Sequence, residues 1–310
     1  METAPSSPAV RLPLSQRRRG PPMIDFEAMK RITLPPLAAE AALAGDALRA
    51  RQRSQLRVAT WNVWFDEVCK DERIAGLLRE ALRQAPDALC LQEVLPELAT
   101  ALRSSGPLTE LYDISPLDVG VYGCLILAHK DLEAEFTEVP LTTCMGRSLI
   151  LAECRARFPH LTVATTHLES LKTERIRRVQ LQEAAAALRD KRFAVLCGDF
   201  NFDATRTFGD WQLAVPLRAP HEIENQVLQE VLLDFVDAWP ALHSDPGFTF
   251  DGAANPMCVL DEDERMRYDR ILARRTLVPV DAWLMGREPI NQAGFTPSDH
   301  FGVLADFSVA

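Results

Sequence analysis

The stretch RVATWNVW, residues 57–64, and the later stretch DALCLQEV, residues 87–94, decide the fold class. Both are short apolar runs of the kind that form strands. The segment between them, 71–85, repeats its apolar residues with helical spacing. A strand, a helix and a second strand in this order are typical of a βαβ unit. The chain is therefore predicted to be an α/β protein.

Further strand candidates run to the C-terminus and predict a mixed sheet. Three of them come next, at 123–129, 148–154 and 160–167. No helix-length segment separates these three, which favours antiparallel pairing. A helix is then predicted over 173–190 and a buried strand over 193–200. Three more strand candidates close the series, at 268–273, 278–284 and 301–307.

The composition predicts a folded intracellular protein. With 310 residues and 47% hydrophobic content, the chain can bury a large core. No apolar run approaches the roughly 18 residues of a membrane helix, and the N-terminus lacks the apolar region of a secretory signal. Seven cysteines without a C-x-x-C pair favour buried free thiols over disulfides or zinc. We predict a monomer without membrane contact, in the nucleus and/or the cytoplasm.

Charge and organisation narrow the function further. The net charge of −10 argues against broad, non-specific binding to duplex nucleic acid, so any phosphate contact must be local. Residues 1–54, rich in proline before position 40, are predicted to be a flexible tail with a helix candidate near their end. The basic run at 16–19 fits a nuclear-import patch or, as we favour, a solvated tail. Residues 55–310 are predicted to form one catalytic domain.

Polar residues flank the predicted strands. Some directly follow the end of a strand, and others directly precede the start of one. Such positions lie together on one rim of an α/β sheet, where sites are built. Each residue alone also has a structural interpretation, such as an asparagine that caps a turn. The ordered set favours a site. Its members are Asn62, Glu93, His167, Asp199, Asn201, Ser298, Asp299 and His300.

The residue types in this set predict a metal-dependent hydrolase. Hard oxygen ligands without a thiolate cluster or an H-E-x-x-H motif suit Mg²⁺, with Mn²⁺ as a substitute, better than zinc. Glu93 and Asp199 are the predicted metal ligands. Hydrolysis of a phosphodiester also needs an activated water, and we assign that task to Asp199, with Asn201 fixing its geometry.

The remaining members predict a cradle for the phosphate. Negative charge grows on the phosphoryl oxygens during hydrolysis and requires donors. His300 is predicted to donate to one of these oxygens, while Asp269 orients its ring and keeps it protonated. His167 and Asn62 complete the predicted cradle.

The order of the motifs TWN, LQEV, THLES, GDFN, YDRI and PSDH resembles the exonuclease-endonuclease-phosphatase superfamily. The resemblance extends from Arg57 to Phe307, nearly the whole predicted domain. It implies a DNase I-like fold, a four-layer α/β sandwich in which two packed mixed β-sheets are flanked by helices.

Within that superfamily, LQEV, THLES, YDRI and PSDH are most similar to the tyrosyl-DNA phosphodiesterase 2 group. This resemblance implies a Mg²⁺-dependent repair phosphodiesterase that hydrolyses 5′-phosphotyrosyl bonds at single-stranded or frayed DNA ends. It places His167 with Ser170 beside the scissile group. FTFD, residues 248–251, resembles the group's aromatic DNA-contacting segment, so that Phe250 is either a DNA contact or an ordinary core aromatic.

Two more residues are substrate-binding candidates, and two others depart from the group's pattern. Arg147, before the strand at 148–154, and Ser298 in PSDH are the candidates. Trp64 stands where the group usually has Asp, and Asp203 stands where a basic residue is expected. These departures concern 5′-tyrosyl specificity and leave metal-dependent hydrolysis unaffected.

Three other functions compete with this one. A phosphatase or phosphodiesterase for a small phosphorylated metabolite or lipid headgroup is favoured by the acidic balance and by Trp64. A catalytically silent scaffold would have lost one or more of Glu93, Asp199 and His300, and none is missing. A metal-free DNA-binding module would need a broad basic face, which the composition does not favour.

Overall fold

The computed structural model describes residues 32–203, 224–258 and 264–309. The predicted tail up to residue 31, with its basic run at 16–19, lies outside the described residues. The helices are α1 (Ala38–Ala50), α2 (Lys70–Gln84), α3 (Pro96–Ser104), α4 (Gly106–Leu111), α5 (Glu174–Leu188), α6 (Glu224–Val231) and α7 (Ala238–Leu242).

Fourteen strands are described, and twelve of them form two large sheets. They are β1 (Gln55–Asn62), β2 (Ala88–Val94), β3 (Tyr112–Ile114), β4 (Gly123–His129), β5 (Ala134–Pro140), β6 (Ser148–Cys154), β7 (Leu161–His167), β8 (Phe193–Asp199), β9 (Phe235–Asp237), β10 (Phe250–Asp251), β11 (Arg265–Met266), β12 (Asp269–Arg274), β13 (Leu277–Met285) and β14 (Gly302–Val309). The first sheet has the order β13-β14-β1-β2-β4-β3, the second the order β5-β6-β7-β8-β12-β9, and β10 pairs with β11 alone.

The two sheets pack face to face between two layers of helices. Residues on one face of each strand, such as Val58 of β1 and Val163 of β7, share a core between the sheets. The opposite face of the first sheet packs on helices, and Trp61 of β1 and Leu78 of α2 belong to the same core there. The second sheet packs its outer face on α5 and α6 in the same way. This confirms the predicted α/β fold of two mixed sheets flanked by helices.

The parallel pairs of the two sheets determine where a site can form. β1 and β2 are parallel and connected through α2, and β7 and β8 are parallel and connected through α5. The carboxyl ends of a parallel pair meet at one edge of their sheet. β14 is antiparallel to β1 and β12 is antiparallel to β8, so both strands begin at that edge. Each sheet therefore contributes two strand ends and one strand start.

One detail of the predicted pairing was wrong. β6 and β7 pair antiparallel as expected, but β4 lies in the other sheet, between β2 and β3. β5, which the sequence analysis did not predict, takes the place beside β6. Along β5 the exposed residues include charged ones such as Glu135 and Glu138. A strand at a sheet edge needs few apolar residues, and it is therefore hard to detect by hydrophobicity.

Three further features can be compared with the sequence analysis: the packing of α1, the state of the cysteines and the character of the helices. Ala44 and Leu48 of α1 are buried in the core outside the first sheet. All seven cysteines lie within the described residues and are unpaired, which confirms the predicted free thiols, and five of them are buried. Among the described residues, none of the helices has the length and apolar character that a membrane span requires.

Candidate active site

A buried amide connects two carboxylates across the gap between the sheets. Asn62 at the end of β1 donates from Nδ2 to Glu93 Oε1 and to Asp199 Oδ2, both at 3.0 Å. Its own Oδ1 accepts a hydrogen bond from the backbone of Trp64 at 3.0 Å. The strand ends of the first sheet therefore meet the end of β8 in the second sheet at Asn62.

Glu93 reaches the site through an irregular backbone. Leu89 and Leu91 of β2 point into the helix-facing core, and strict alternation would send Glu93 the same way. The pairing with β4 instead shifts register between Leu91 and Val94, and Glu93 has φ 59°. The backbone irregularity turns the carboxylate towards Asn62, and Oε2 accepts from the backbone N of Phe65 at 3.2 Å.

Asp199 is held by the turn that follows it. Its Oδ1 accepts from the backbone N of Asn201 at 2.9 Å, and Asn201 has φ 55°. The Asn201 amide in turn donates to the Leu168 carbonyl at 3.0 Å and to Ser170 Oγ at 3.3 Å. Because Oδ1 is engaged in this way, Asp199 presents Oδ2 to the centre of the site.

Gly198 permits this approach of β8 to β7. Its φ is 134°, and a Cβ atom there would lie 1.9 Å from the carbonyl oxygen of Thr166. No side chain fits at that distance, so the glycine of the GDFN motif is a steric requirement.

His300 and Asp269 form a buried pair opposite Asp199. The His300 Nδ1 atom lies 2.7 Å from Asp269 Oδ2, and its Nε2 atom lies 4.0 Å from Asp199 Oδ2. Burial acts to lower the pKa of His300, but the charge and hydrogen bond of Asp269, together with the charges of Asp299 and Asp199, raise that pKa well above its ordinary value. This direction favours a protonated His300 at neutral pH.

His167 has the opposite electrostatic character. Its Nε2 lies 3.3 Å from Asp199 Oδ2, and its Nδ1 lies 3.1 Å from Nη1 of the buried Arg147. Burial and the charge of Arg147 lower the pKa of His167 to about 3. Arg147 also donates from Nη2 to Ser170 Oγ at 2.9 Å. The described contacts of Arg147 are therefore to protein groups that border the site.

The two carboxylates differ in their proton affinity. Burial raises the pKa of Glu93, and the charge of Asp199 adds to this effect. Burial also acts to raise the pKa of Asp199, but His167, His300 and the donors of Asn201 and Asn62 hold it below its usual value. Since His167 is neutral at pH 7, His300 supplies the lasting positive charge beside Asp199.

The described residues include two clusters that could hold a metal ion. In the first, Glu93, His167 and Asp199 offer ligand atoms within 4.8 Å of one another. In the second, Asp199, Asp269 and His300 do the same. The first cluster contains both predicted metal ligands, and its two carboxylates suit a divalent cation. In the second cluster, the raised pKa of His300 favours its protonated form, which does not suit a metal ion. We favour the first cluster as the metal site.

Ser298 and Phe250 occupy positions that fit a supporting role better than substrate binding. The buried Ser298 hydroxyl donates to the Asn62 carbonyl at 2.7 Å and accepts from the backbone N of His300 at 3.1 Å. Phe250 is 7% exposed, and its ring packs edge-on against His300 at 5.2 Å and beside Tyr268 at 5.9 Å. The geometry therefore favours the core-aromatic interpretation of Phe250.

Two groups of residues at the site were missed from sequence. Gln92 donates from Nε2 to the hydroxyls of Thr60 and Thr165, both at 3.0 Å, in a fully buried polar layer between the sheets. Tyr122 lies 4.9 Å from the ring of Phe65 and 5.1 Å from the Arg147 guanidinium. Strand alternation could have indicated Gln92, but no sequence signal places the loop residue Tyr122 beside the site.

The departures from the family pattern have structural partners. Trp64 stacks on the buried guanidinium of Arg73 at 4.4 Å. Arg73 fixes the segment after β1 by donating to the backbone carbonyls of Val63, Trp64, Asp66, Val68 and Pro297. Asp66 accepts from the backbone N of Val68 at 2.8 Å and belongs to neither metal cluster. Asp203 is buried beside Arg270, with its carbonyl accepting from Asn225.

Comparison with known proteins finds relatives along most of the chain. Tyrosyl-DNA phosphodiesterase 2 (TDP2) of Danio rerio is 28% identical over 280 residues, which cover 85% of this chain and 70% of that protein. The TDP2 of Gallus gallus is 26% identical over 273 residues, covering 83% and 68%. These relatives make the chain a homologue of phosphodiester hydrolases.

A solved structure supports the fold. Truncated TDP2 of Caenorhabditis elegans superposes with a TM-score of 0.69 at 24% identity, over 82% of this chain and 98% of that one. The model of the Endonuclease/Exonuclease/phosphatase family matches residues 59–300, which include all the residues of both metal clusters. The chain therefore belongs to the endonuclease/exonuclease/phosphatase family.

Proposed function

We propose that this protein is a Mg²⁺-dependent phosphodiesterase that hydrolyses phosphotyrosyl bonds at the 5′ ends of DNA. The observation that carries the proposal is the bridge of Asn62 between Glu93 and Asp199, with His300 opposite. The names of the relatives support the substrate, because each is a tyrosyl-DNA phosphodiesterase 2. One solved relative, from D. rerio, is described as complexed with a single-strand DNA product.

The carboxylates of Glu93 and Asp199 would hold the metal. Burial raises the pKa of Glu93, which means that its negative charge lacks solvation and is stabilised by a nearby cation. Both donors are hard oxygen ligands, which suits Mg²⁺ or Mn²⁺. When bound, such an ion polarises the phosphoryl group and offsets its negative charge.

The protein's own side chains account for the proton and charge movements. The low pKa of Asp199 keeps it ionised at neutral pH. Its Oδ2 accepts from Asn62 and faces the centre of the site, where a remaining lone pair can orient a water molecule and accept its proton. Asn201 prevents Asp199 from rotating away by binding Oδ1. Protonated His300 donates from Nε2 to the phosphoryl oxygen on which charge accumulates. Phenolate, with a pKa of about 10, leaves readily, so a tyrosyl ester needs less help from a general acid.

The test is release of tyrosine from a single-stranded oligonucleotide with a 5′-phosphotyrosyl group. With Mg²⁺ we expect turnover, and Asp199→Asn should lower kcat by about 10³-fold because the base is lost. Asp66→Asn is the matched control, since Asp66 is near Asn62 in sequence but lies outside both clusters. Tyrosine release in EDTA, or undiminished release by Asp199→Asn, contradicts the mechanism.

A small phosphorylated substrate is the second candidate. The chain has a net charge of −10, and the ring of Phe250 is packed against His300 and Tyr268, so it offers no open face for a nucleobase. Mg²⁺-dependent turnover of bis-p-nitrophenyl phosphate without any release of tyrosine from DNA would favour this candidate and would contradict the tyrosyl-DNA substrate.

A further inference from the structure

A basic surface lies at the end of the second sheet that is farthest from the candidate active site. Two neighbouring turns form it, 189–192 between α5 and β8 and 275–276 between β12 and β13. The Thr276 hydroxyl joins them by donating to the Arg192 carbonyl at 3.1 Å. β8 runs from Phe193 beside this surface to Asp199 in the site, a distance of about 20 Å at the usual rise of a strand. The surface is therefore separate from the catalytic groups.

A cavity of about 350 Å³ opens between these turns, and we call it the basic cleft. Its lining includes two acidic residues, Asp190 and Asp234. Its basic residues are Arg189, Lys191, Arg192, Arg274 and Arg275. Five positive charges against two negative ones stand out in a chain whose net charge is −10. A concentration of one charge in a cleft attracts ligands of the opposite charge.

Part of this positive charge is available for a ligand. Arg274 forms an ion pair with Asp234 and donates to the Leu188 carbonyl at 2.8 Å, and Lys191 forms an ion pair with Glu153. The other three cations are exposed and form no ion pair among the described residues. These are Arg189, Arg192 and Arg275.

An apolar groove adjoins the basic cleft. It is a cavity of about 500 Å³ between α5 and α6, and it shares Arg189, Asp234 and Arg274 with the cleft. Its apolar lining consists of Ala185, Ala186, Val231, Leu232 and Phe235. Leu233, which follows Leu232 in the chain, is 75% exposed. The combined surface is therefore cationic in the cleft and mixed in the groove, where Gln182 and the three shared charged residues lie beside the aliphatic side chains.

We propose that the basic cleft and the apolar groove together are a docking site for an acidic peptide segment of a partner protein, with an aliphatic side chain as its anchor. Guanidinium groups bind carboxylates with two parallel hydrogen bonds, and three of them are free here. The aliphatic groove fits a leucine-like side chain.

The chemistry of the surface argues against a nucleic acid as the occupant. Single-stranded nucleic acids bind by stacking bases on exposed aromatic rings. The two phenylalanines at this surface are buried: Phe193 lies under Arg192 and Phe235 under Arg274, each 5.0 Å from the guanidinium. The described surface therefore offers cations without a stacking platform.

The test is a fluorescence polarisation titration of the full chain with a fluorescein-labelled peptide rich in Asp and Glu and carrying two leucines. Charge reversal of the three free cations, in the variant Arg189→Glu/Arg192→Glu/Arg275→Glu, should weaken binding at least about tenfold. The matched control, Arg53→Glu/Arg83→Glu/Lys130→Glu, makes the same charge change at exposed residues elsewhere and should bind like the wild type.

A second variant tests the groove. Ala186 is exposed on α5, so Ala186→Glu leaves the core intact but puts bulk and negative charge into the groove. This variant should bind the leucine-containing peptide more weakly than the wild type does. The same peptide with its leucines replaced by serine should also bind more weakly to the wild type. Circular dichroism establishes that each variant is folded.

Three outcomes would overturn the proposal. They are no binding of the acidic leucine peptide, equal binding by the charge-reversed and wild-type chains, and complete displacement of the peptide by an equal concentration of single-stranded oligonucleotide. The last result would identify the surface as a nucleic-acid patch.

Discussion

At the scale of single residues, the conformation of Glu93 shows how local backbone geometry determines the site. Its positive φ and the register shift of β2 turn its carboxylate from the helix-facing side to the gap between the sheets. Such a conformation costs about 1–3 kcal/mol in a non-glycine residue. The hydrogen bonds from Asn62 and Phe65 offset this cost.

The pair of His300 and Asp269 predicts how activity depends on pH. Because Asp269 raises the pKa of His300, the active protonated ring is kept below that raised pKa and is lost as the pH increases through it. In Asp269→Asn this support is removed, and burial then lowers the pKa. We expect the alkaline limb of kcat against pH to move to lower pH, with a larger loss of activity at pH 8 than at pH 6.

A plain structural role for Asp269 would lower kcat by the same factor at every pH. The profile therefore separates the two roles. Asp66→Asn, measured in parallel, should keep the wild-type limb, because Asp66 contacts neither His300 nor Asp269 among the described contacts.

At the scale of the elements, the approach of β8 to β7 depends on Gly198. A Cβ atom there would overlap the Thr166 carbonyl, and the φ of 134° is unfavourable for any other residue. We expect Gly198→Ala to lower the free energy of unfolding by about 2–4 kcal/mol, from overpacking and backbone strain together. Urea denaturation measures the change.

Gly146→Ala is the matched control for Gly198→Ala. Gly146 also has a positive φ, 74°, but an added Cβ would meet no atom within 4 Å. Backbone strain alone should then cost about 1 kcal/mol. Equal losses in the two variants would contradict the steric explanation.

A second prediction at this scale concerns the end of β9. Arg267 and Arg270 both donate to the Asp237 carboxylate, at 2.8 Å and 2.9 Å. Burial acts to raise the pKa of Asp237, but the two arginines outweigh it and lower that pKa. The ion pairs of Asp237 with the two arginines therefore stabilise the fold above about pH 4. This contribution is lost as the pH falls through the lowered pKa of Asp237.

Asp237→Asn should therefore cost about 3–5 kcal/mol at pH 7, because two buried guanidinium groups lose their counter-charge. The difference from the wild type should shrink between pH 5 and pH 3 in urea denaturation. The exposed pair of Asp46 and Arg49 provides the comparison, and Asp46→Asn should change stability by less than about 0.5 kcal/mol. A difference for Asp237→Asn that stays constant with pH would show that charge is not the cause.

The sequence predicted the elements that carry strong apolar patterns and missed those that do not. The strands at 123–129 and 148–154 were predicted with the bounds observed for β4 and β6, because their apolar residues are continuous. Which sheet each joins depends on long-range packing, so the position of β4 was wrong. The placement of Tyr122 and the turned backbone at Glu93 are tertiary effects that no local pattern encodes.

At the scale of the whole molecule, α1 belongs to the packed structure. Leu48 of α1 is buried in the core between the first sheet and its helices. Arg51, which follows the last residue of α1, lies 2.9 Å from the buried carboxylate of Asp87. A chain that begins at Gln55 would lose both contacts. We expect it to be at least about 3 kcal/mol less stable in urea than a chain that begins at Ile32, since burying one leucine contributes about 1.5–3 kcal/mol. Equal stability of the two chains would contradict a packing role for α1.

The position of β14 has a consequence for how the enzyme is made. It is the last strand described, yet it lies inside the first sheet, between β13 and β1, and His300 lies two residues before its start. A growing polypeptide leaves the ribosome with its N-terminal strands first. Until β14 emerges and pairs with β1, the first sheet is incomplete, β13 has no partner strand, and His300 is not held opposite Asp199. We therefore expect the nascent polypeptide to be inactive during translation, and a product of premature termination before β14 to remain inactive.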